Sequence, residues 1–216
     1  MFPLLQRERG NPVELFQIWL NLPAEDKLVE PHFAMLWNEQ IPRQKSDGVE
    51  VAIVAGTLGD RRAAPPPPRS WASRKDTDVA IWTIKLAPGV KWTLPAASHP
   101  QTKRTLYFFT GTSLTIGGKQ LTSHAGVEVR AQEDLELVNG DAETELLMLQ
   151  GRPIGERVVQ HGPFVMNSEE QIRQAIMDYR RTQFGGWPWP NEAPTHGRDE
   201  GRFARHPDGK TQKPPG

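Results

Sequence analysis

Residues 146–180 read LLMLQGRPIGERVVQHGPFVMNSEEQIRQAIMDYR, and this stretch decides the fold because it joins a buried strand, a glycine–proline hinge and a capped helix. The apolar run 146–149 has the length of a strand that is buried on both faces. Gly151 and Pro153 then interrupt the pattern, since both residues punctuate regular structure. We therefore expect a core strand that ends at this hinge.

A helix is predicted over residues 169–181. Ser168 and Gln171 have the spacing of a capping box, in which each side chain satisfies a free backbone N–H group of the first turn. Apolar side chains then recur at helical spacing from Ile172 to Tyr179, while charged and amide side chains occupy the opposite face. One face of this helix should therefore lie on a core.

The middle of the chain predicts an all-β structure. Short apolar or alternating segments are separated by glycine and proline, which is typical of an antiparallel barrel. The predicted strands are 49–55, 79–86, 105–109, 113–116, 127–131 and 135–138. Asn139-Gly140 predicts a type I′ hairpin, because both residues tolerate a positive φ. We expect a closed barrel over residues 49–181, with the helix packed on its outside.

The segments before and after this barrel are of different kinds. Residues 13–20, VELFQIWL, are rich in aromatic and branched side chains and predict a strand. Residues 22–43 are interrupted by three prolines and read as an irregular crossover. The tail 185–216 has too much glycine, proline and charge for a core of its own, so it is predicted to be partly disordered. Its large apolar side chains favour order to about Phe203.

The loop 61–75 contains four successive prolines, Pro65 to Pro68. Proline rings favour the extended polyproline II conformation, which aromatic-lined grooves of other proteins recognise. The segment is thus either a docking ligand or a stiff surface loop, and the sequence favours the loop.

Composition excludes several classes of function. The 216 residues carry 26 basic and 26 acidic side chains, so net charge gives no reason to expect nucleic acid or an anionic membrane as a partner. Cysteine is absent, which excludes disulfides and thiol chemistry and fits a reducing compartment. No apolar stretch approaches the roughly 20 residues that span a bilayer. A cytoplasmic protein is the expectation.

Three stretches resemble the pirin family, whose members consist of two cupin β-barrels, also called jelly rolls or double-stranded β-helices. They are GRPIGERVVQHGPFVMNSEEQIRQAIMDY at 151–179, NPVELFQIWLNLPAEDKLVEPHFAMLWNEQIPR at 11–43 and RTLYFFTGTSLTIGG at 104–118. The resemblance implies that residues 1–48 are a remnant of the N-terminal cupin with the crossover. It makes residues 49–184 the C-terminal cupin with its one helix, and residues 185–216 a tail.

A cupin enzyme holds its metal with histidines and a carboxylate that converge inside the barrel. The six histidines include no His-x-His pair, which would place two ligands on one strand face. His124 with Glu128, and also His99, are candidate ligands, but the sequence favours solvated loop side chains at these positions. His32 is expected to pack or hydrogen-bond between domains, and His161 to organise the backbone.

The family comparison implies why the pair is missing. Pirins that resemble this chain carry a His-x-His pair and a later His and Glu on the N-terminal barrel, ahead of a Met-Phe-Pro-like segment. Here Met1-Phe2-Pro3 opens the chain, so it is expected to begin downstream of all four positions. We therefore assign no catalytic, cofactor-binding or metal-ligating residue and no cofactor, with Fe(II) expected only in complete family members.

Three functions remain open. The favoured one is a pirin-family cupin that is related to the iron-dependent quercetin 2,3-dioxygenases but lacks their metal-ligand motif, so that this chain is inactive. The second is a protein-interaction module, since pirins also act as transcriptional co-regulators, and the third is an inactive structural remnant. Expected partners are another protein or a second copy that pairs through residues 13–20, with no direct contact to nucleic acid or membrane.

Overall fold

The computed structural model describes residues 8–10, 12–187, 189–192, 198–206 and 208–215. Chain contacts divide it into two units. One unit is Leu28–Gly155, and the other combines the described residues up to Lys27 with those from Glu156 onward. Each unit has its own apolar cluster. The domain limits predicted at residues 48 and 184 remain predictions.

Antiparallel strands build the unit Leu28–Gly155. They are β1 (Arg43–Ser46), β2 (Val49–Ala55), β3 (Thr57–Leu58), β4 (Arg61–Arg62), β5 (Ala80–Leu86), β6 (Lys91–Leu94), β7 (Lys103–Thr110), β8 (Leu114–Ile116), β9 (Lys119–Leu121), β10 (Ala125–Val129), β11 (Leu135–Asn139) and β12 (Thr144–Gly151). A six-stranded sheet has the order β1-β2-β5-β12-β7-β10, and a four-stranded sheet has the order β6-β11-β8-β9. β3 and β4 form a separate hairpin.

The core of this unit combines side chains from both sheets. Along β5 every second side chain is buried, as the two-residue period of a strand requires. Fully buried apolar side chains come from the six-stranded sheet, such as Ile84 and Leu146, and from the four-stranded sheet, such as Leu137. The all-β jelly-roll class is therefore confirmed. The strands form two separate antiparallel sheets, whereas the sequence predicted a single closed barrel.

Two strand turns differ from the sequence prediction. Asp47 and Gly48 have φ of 25° and 82° and connect β1 to β2, so this Asp-Gly pair forms the tight turn that was expected at Asn139-Gly140. Neither Asn139 nor Gly140 has a positive φ. The predicted type I′ hairpin at this pair is therefore wrong.

The Asn139 side chain has a different role, because it is buried and satisfies backbone groups of neighbouring segments. Its Nδ2 atom lies 3.0, 2.8 and 2.8 Å from three carbonyl oxygens, those of Leu86, Ala87 and Ala142. A Cβ atom on Gly140 would overlap the Oγ atom of Ser113. Asparagine is needed here as a buried donor, and glycine is needed for close approach.

Residues 13–20 do not form the predicted strand. No regular secondary structure is assigned to this segment, and no described strand pairs with it. Val13, Leu15 and Trp19 are 59%, 66% and 59% exposed. Aromatic and branched side chains favour a strand only when a neighbouring strand supplies hydrogen bonds, and no described strand pairs with this segment.

The second unit contains the predicted helix. Its elements are β13 (Val159–His161), β14 (Phe164–Met166), α1 (Glu169–Thr182), β15 (Ala204–Arg205) and β16 (Thr211–Gln212). The Ser168 Oγ atom accepts a hydrogen bond from the Gln171 N–H group (3.2 Å), so the predicted cap and helix are confirmed. Ile172 and Ala175 are buried against the β13–β14 hairpin. The packing of α1 on the outside of the barrel remains a prediction.

The tail contains more regular structure than its composition suggested. β15 pairs with β16, and Ala204 is buried. Trp187 is exposed, and its Nε1 atom donates to the Asn191 carbonyl (2.9 Å). Residues 193–197, which the prediction of partial order also covers, lie outside the described residues. None of the helices in the described ranges combines the length and the hydropathy that crossing a bilayer requires.

Replacing Gly140 by alanine should destabilise the sandwich. The added methyl group overlaps Ser113, and overpacking of a well-packed site costs about 1–3 kcal/mol. The measurement is the urea midpoint of unfolding, followed by circular dichroism. Gly10→Ala is the matched control, because a Cβ atom there meets nothing within 4 Å. Equal midpoints for the two variants would show that the Ser113 segment moves aside at no cost.

Candidate functional site

The described histidines do not assemble a metal site. No group of three histidine, cysteine, aspartate or glutamate side chains within the described ranges is placed to hold a metal ion. His32 is exposed, and His161 is exposed at the end of β13, where it pairs with Phe164 across a turn that contains Gly162 at φ 54°. His161 therefore lies at a backbone turn, as expected. The role of His32 between domains remains a prediction.

His124 and Glu128 are not joined by a third donor among the described residues. His124 precedes β10, is exposed, and stacks edge-on against Phe108 with ring centroids 5.4 Å apart. Glu128 lies on β10, and its carboxylate is 3.9 Å from the Lys103 ammonium group. The pair thus consists of an aromatic contact and a solvent-exposed ion pair, and each side chain already has another neighbour.

His99 belongs to a loop that Asp78 organises. The ring Nδ1 atom of His99 accepts a hydrogen bond from the Gln101 N–H group at 3.1 Å, which occupies one of the two nitrogens that a metal would use. The backbone N–H group of His99 donates to Asp78 Oδ2 at 3.1 Å. The same carboxylate accepts from the Ser98 N–H and hydroxyl groups and from the Thr102 hydroxyl group. Sequence reasoning missed Asp78, whose left-handed backbone (φ 51°) only the structure shows.

A buried arginine closes one end of the core. Arg104 is 1% exposed, and it lies on the same buried face of β7 as Leu106 and Phe108. Its Nε atom donates to Gln150 Oε1 (2.8 Å) and its Nη1 atom to the Pro95 carbonyl (2.9 Å). Burial lowers the pKa of Arg104 from its ordinary value, and the negative charge of Asp78 acts in the opposite direction. The two-residue period of RTLYFF in the sequence could have identified this inward arginine.

A groove of about 860 Å³ lies beside this end. It is lined by three segments, 100–103, 128–132 and 152–155. Its charged side chains are mostly basic, namely Lys103, Arg130 and Arg152 together with Glu128. Arg152 forms an ion pair with Asp76 (2.8 Å), and its guanidinium group lies over the Trp71 ring. The groove offers hydrogen-bond donors and positive charge, and its lining contains no histidine, serine or cysteine.

Comparison with known proteins identifies the fold family. Residues 81–185 match the model of the Pirin C-terminal cupin domain. A Pseudomonas aeruginosa protein that is provisionally named a quercetin 2,3-dioxygenase is 35% identical over 168 residues, which cover 76% of this chain and 57% of that protein. Human pirin is 30% identical over 180 residues, which cover 81% of this chain and 58% of pirin.

Solved structures agree with the sequence comparison. A quercetin 2,3-dioxygenase from Acinetobacter baumannii superposes with a TM-score of 0.66 at 25% identity, over 77% of this chain and 55% of that one. The chain thus spans little more than half of the length of these relatives. The cupin fold predicted from the sequence is confirmed, and residues 81–185 belong to the family of Pirin C-terminal cupin domains.

Proposed function

We propose that this chain supplies a metal-free cupin of the pirin type, which by itself neither binds iron tightly nor oxidises quercetin. The observation that supports the proposal is the filling of the space between the two sheets. Inward positions of β7 and β12 carry Leu106, Phe108, Leu146 and Met148, each at most 2% exposed. Apolar side chains therefore fill the interior in which a cupin enzyme holds its metal.

Electrostatics add to this argument. Tight binding of Fe(II) requires about three ligands on rigid elements, held by further hydrogen bonds. The charged group that does point inward is the Arg104 guanidinium group, and a guanidinium group in a protein keeps its proton. A fixed positive charge in an interior of low dielectric constant repels a second cation. The residues of this unit therefore do not fit an iron centre.

In a complete pirin-type protein we place the iron, and any dioxygenation, on the other cupin. This division follows from the family resemblance, in which the ligand-bearing motif precedes the Met-Phe-Pro-like segment. The present cupin would then stabilise its partner or bind another molecule. The total absence of cysteine fits a reducing compartment, so we propose a cytoplasmic location.

The iron prediction can be checked directly. Protein purified without chelators, and also protein loaded anaerobically with Fe(II) and then desalted, should contain far less than one iron per chain by elemental analysis. With quercetin as substrate, the protein should consume oxygen no faster than a protein-free sample that contains quercetin and the same concentration of iron. A quercetin 2,3-dioxygenase with a complete cupin pair serves as the positive control. His124→Ala should change neither quantity.

One outcome would contradict this proposal. Stoichiometric iron, together with oxygen uptake that is lost in His124→Ala, would show that this cupin carries a site of its own. Iron that is retained by both the original protein and the variant without turnover would point to a non-catalytic site elsewhere, and would equally contradict the binding part of the proposal.

A second candidate function is that of an interaction module, and the exposed apolar side chains of residues 13–20 favour it. Contiguous exposed apolar surface marks contact sites for other proteins. Three large side chains, Val13, Leu15 and Trp19, are each more than half exposed. We infer that this segment mediates association with a second copy of the chain, because contact between two such segments would remove the exposed apolar side chains from water.

Light scattering at increasing protein concentration tests this inference. The molecular mass should rise with concentration, and the double variant Leu15→Ser/Trp19→Ser should remain monomeric because it loses the apolar contact. Leu28→Ser is the matched control, since Leu28 is 77% exposed but lies outside the segment. A monomer at all concentrations, or equal effects of the variant and the control, would count against self-association through residues 13–20.

A further inference from the structure

The segment Arg62–Pro68, RAAPPPP, forms an extended ridge. Proline rings fix φ near −65° at each of the four prolines, and every residue that precedes a proline is confined to extended backbone. Residues 64–67 therefore adopt polyproline II geometry, and no helix or strand is assigned to residues 63–67. Arg62 is the last residue of β4 and Pro68 lies in a turn, so residues 64–67 form a little more than one polyproline II turn between them.

Exposure along this ridge follows the period of the helix. Polyproline II has three residues per turn, so residues three apart share an edge. Arg62, Pro65 and Pro68 are spaced three residues apart, and all three are exposed. The adjacent edge carries a half-exposed Ala64 and an exposed Pro67. The third edge is turned toward the protein, with Ala63 buried and Pro66 half-buried.

The protein holds this ridge at both ends. At its start, Arg62 pairs with Thr57 in the β3–β4 hairpin, and the Ala63 N–H group donates to the Gly56 carbonyl (3.0 Å). At its end, the Ser73 hydroxyl group donates to the Pro68 carbonyl (2.8 Å). The ridge is therefore ordered before any partner arrives, which lowers the entropy cost of fixing its backbone on binding.

The anchor after the ridge is a buried tryptophan. Trp71 is 5% exposed, and its Nε1 atom donates to the Arg152 carbonyl (2.8 Å). The Ser70 N–H group also donates to the Pro67 carbonyl (2.9 Å), which turns the chain away from the ridge. The prolines thus end in a fixed turn and are not part of a long free loop.

We propose that Arg62–Pro68 is a docking ligand for an SH3-type domain, whose groove receives polyproline II ligands between aromatic rings. Two exposed edges that carry proline match the pair of slots in such a groove, and the third edge needs no contact with it. Arg62 stands three residues before Pro65, where a carboxylate at the end of the groove can form a charge-assisted hydrogen bond with its guanidinium group. The spacing Arg-x-x-Pro-x-x-Pro is that of SH3 ligands with a leading arginine.

Local charge favours the same partner. Arg61, Arg62 and Arg69 flank the prolines, while Asp60 is the one acidic residue in the sequence from 60 to 70. Arg61 lies 3.8 Å from Asp60, so the nearby carboxylate partly compensates Arg61. The ridge therefore presents a positive end to an acidic groove. The proposal is independent of the iron argument, because it involves neither the sandwich interior nor any histidine.

The test is calorimetric titration of the intact protein with an SH3 domain selected for Arg-x-x-Pro-x-x-Pro ligands. Binding should be saturable with one domain per chain. Arg62→Glu and the double variant Pro65→Ala/Pro68→Ala should each weaken it at least about tenfold, which corresponds to the loss of one good contact. Arg61→Glu is the matched control, since it makes the same charge reversal one residue away and should weaken binding less than about threefold. Unfolding midpoints check that each variant folds.

Three results would overturn the proposal. The intact protein does not bind while a synthetic peptide of residues 60–70 does, which would mean that the ridge is not accessible. Arg61→Glu weakens binding as much as Arg62→Glu, which would reduce the effect to net charge. A WW domain binds and the SH3 domain does not, which would assign the prolines to a different groove and leave Arg62 without its role.

Discussion

The structure depends on the pairing of β12 along both of its edges. β12 forms ladders with β5 on one side and with β7 on the other, so it is an inner strand of the six-stranded sheet. Leu146 and Met148 are completely buried in the core between the sheets, and Leu147 on the opposite face is 5% exposed. A strand that is covered on both faces and paired on both edges cannot be moved without loss of the whole sheet. The hinge at Gly151, where the chain passes Val79 closely, releases it from the sheet.

This packing constrains the chemistry that the unit can support. Because the space between the sheets is filled, a functional group must lie at the ends of the strands or on the loops. The inward polar side chain of β7, Arg104, is satisfied by Gln150 and a backbone carbonyl, and Gln150 in turn donates to the Asp78 carbonyl. Such a network is stable only when its members are paired. It therefore serves to close the end of the core and to fix the loop that carries His99.

The sequence predicted best where local chemistry is sufficient. The cap at Ser168 and the strand Val49–Ala55 required only spacing and alternation, and both are found. Residues 13–20 carry the composition of a strand, but a strand also needs a partner, which composition does not reveal. Asparagine is common in tight turns, but the side-chain amide of Asn139 lies within hydrogen-bond distance of three backbone carbonyl groups. The role of the Asp78 carboxylate could not be predicted from local sequence, because its hydrogen-bond partners lie about twenty residues away in the chain.

The loops between strands are where a cupin with a filled interior can carry a new binding surface. β2 and β5 are neighbours in the six-stranded sheet, yet residues 56–79 intervene between them. Lengthening such a connection costs little, since closure entropy grows only with the logarithm of loop length, about 0.6 kcal/mol for each doubling. β2 and β5 remain paired, with one shift of register between Ile53 and Ala55. The buried side chain of Trp71 and the restricted φ angles of the four prolines then limit the motion of this long connection. A surface built in this way can differ from those of other cupins without any change to the core on which β12 depends.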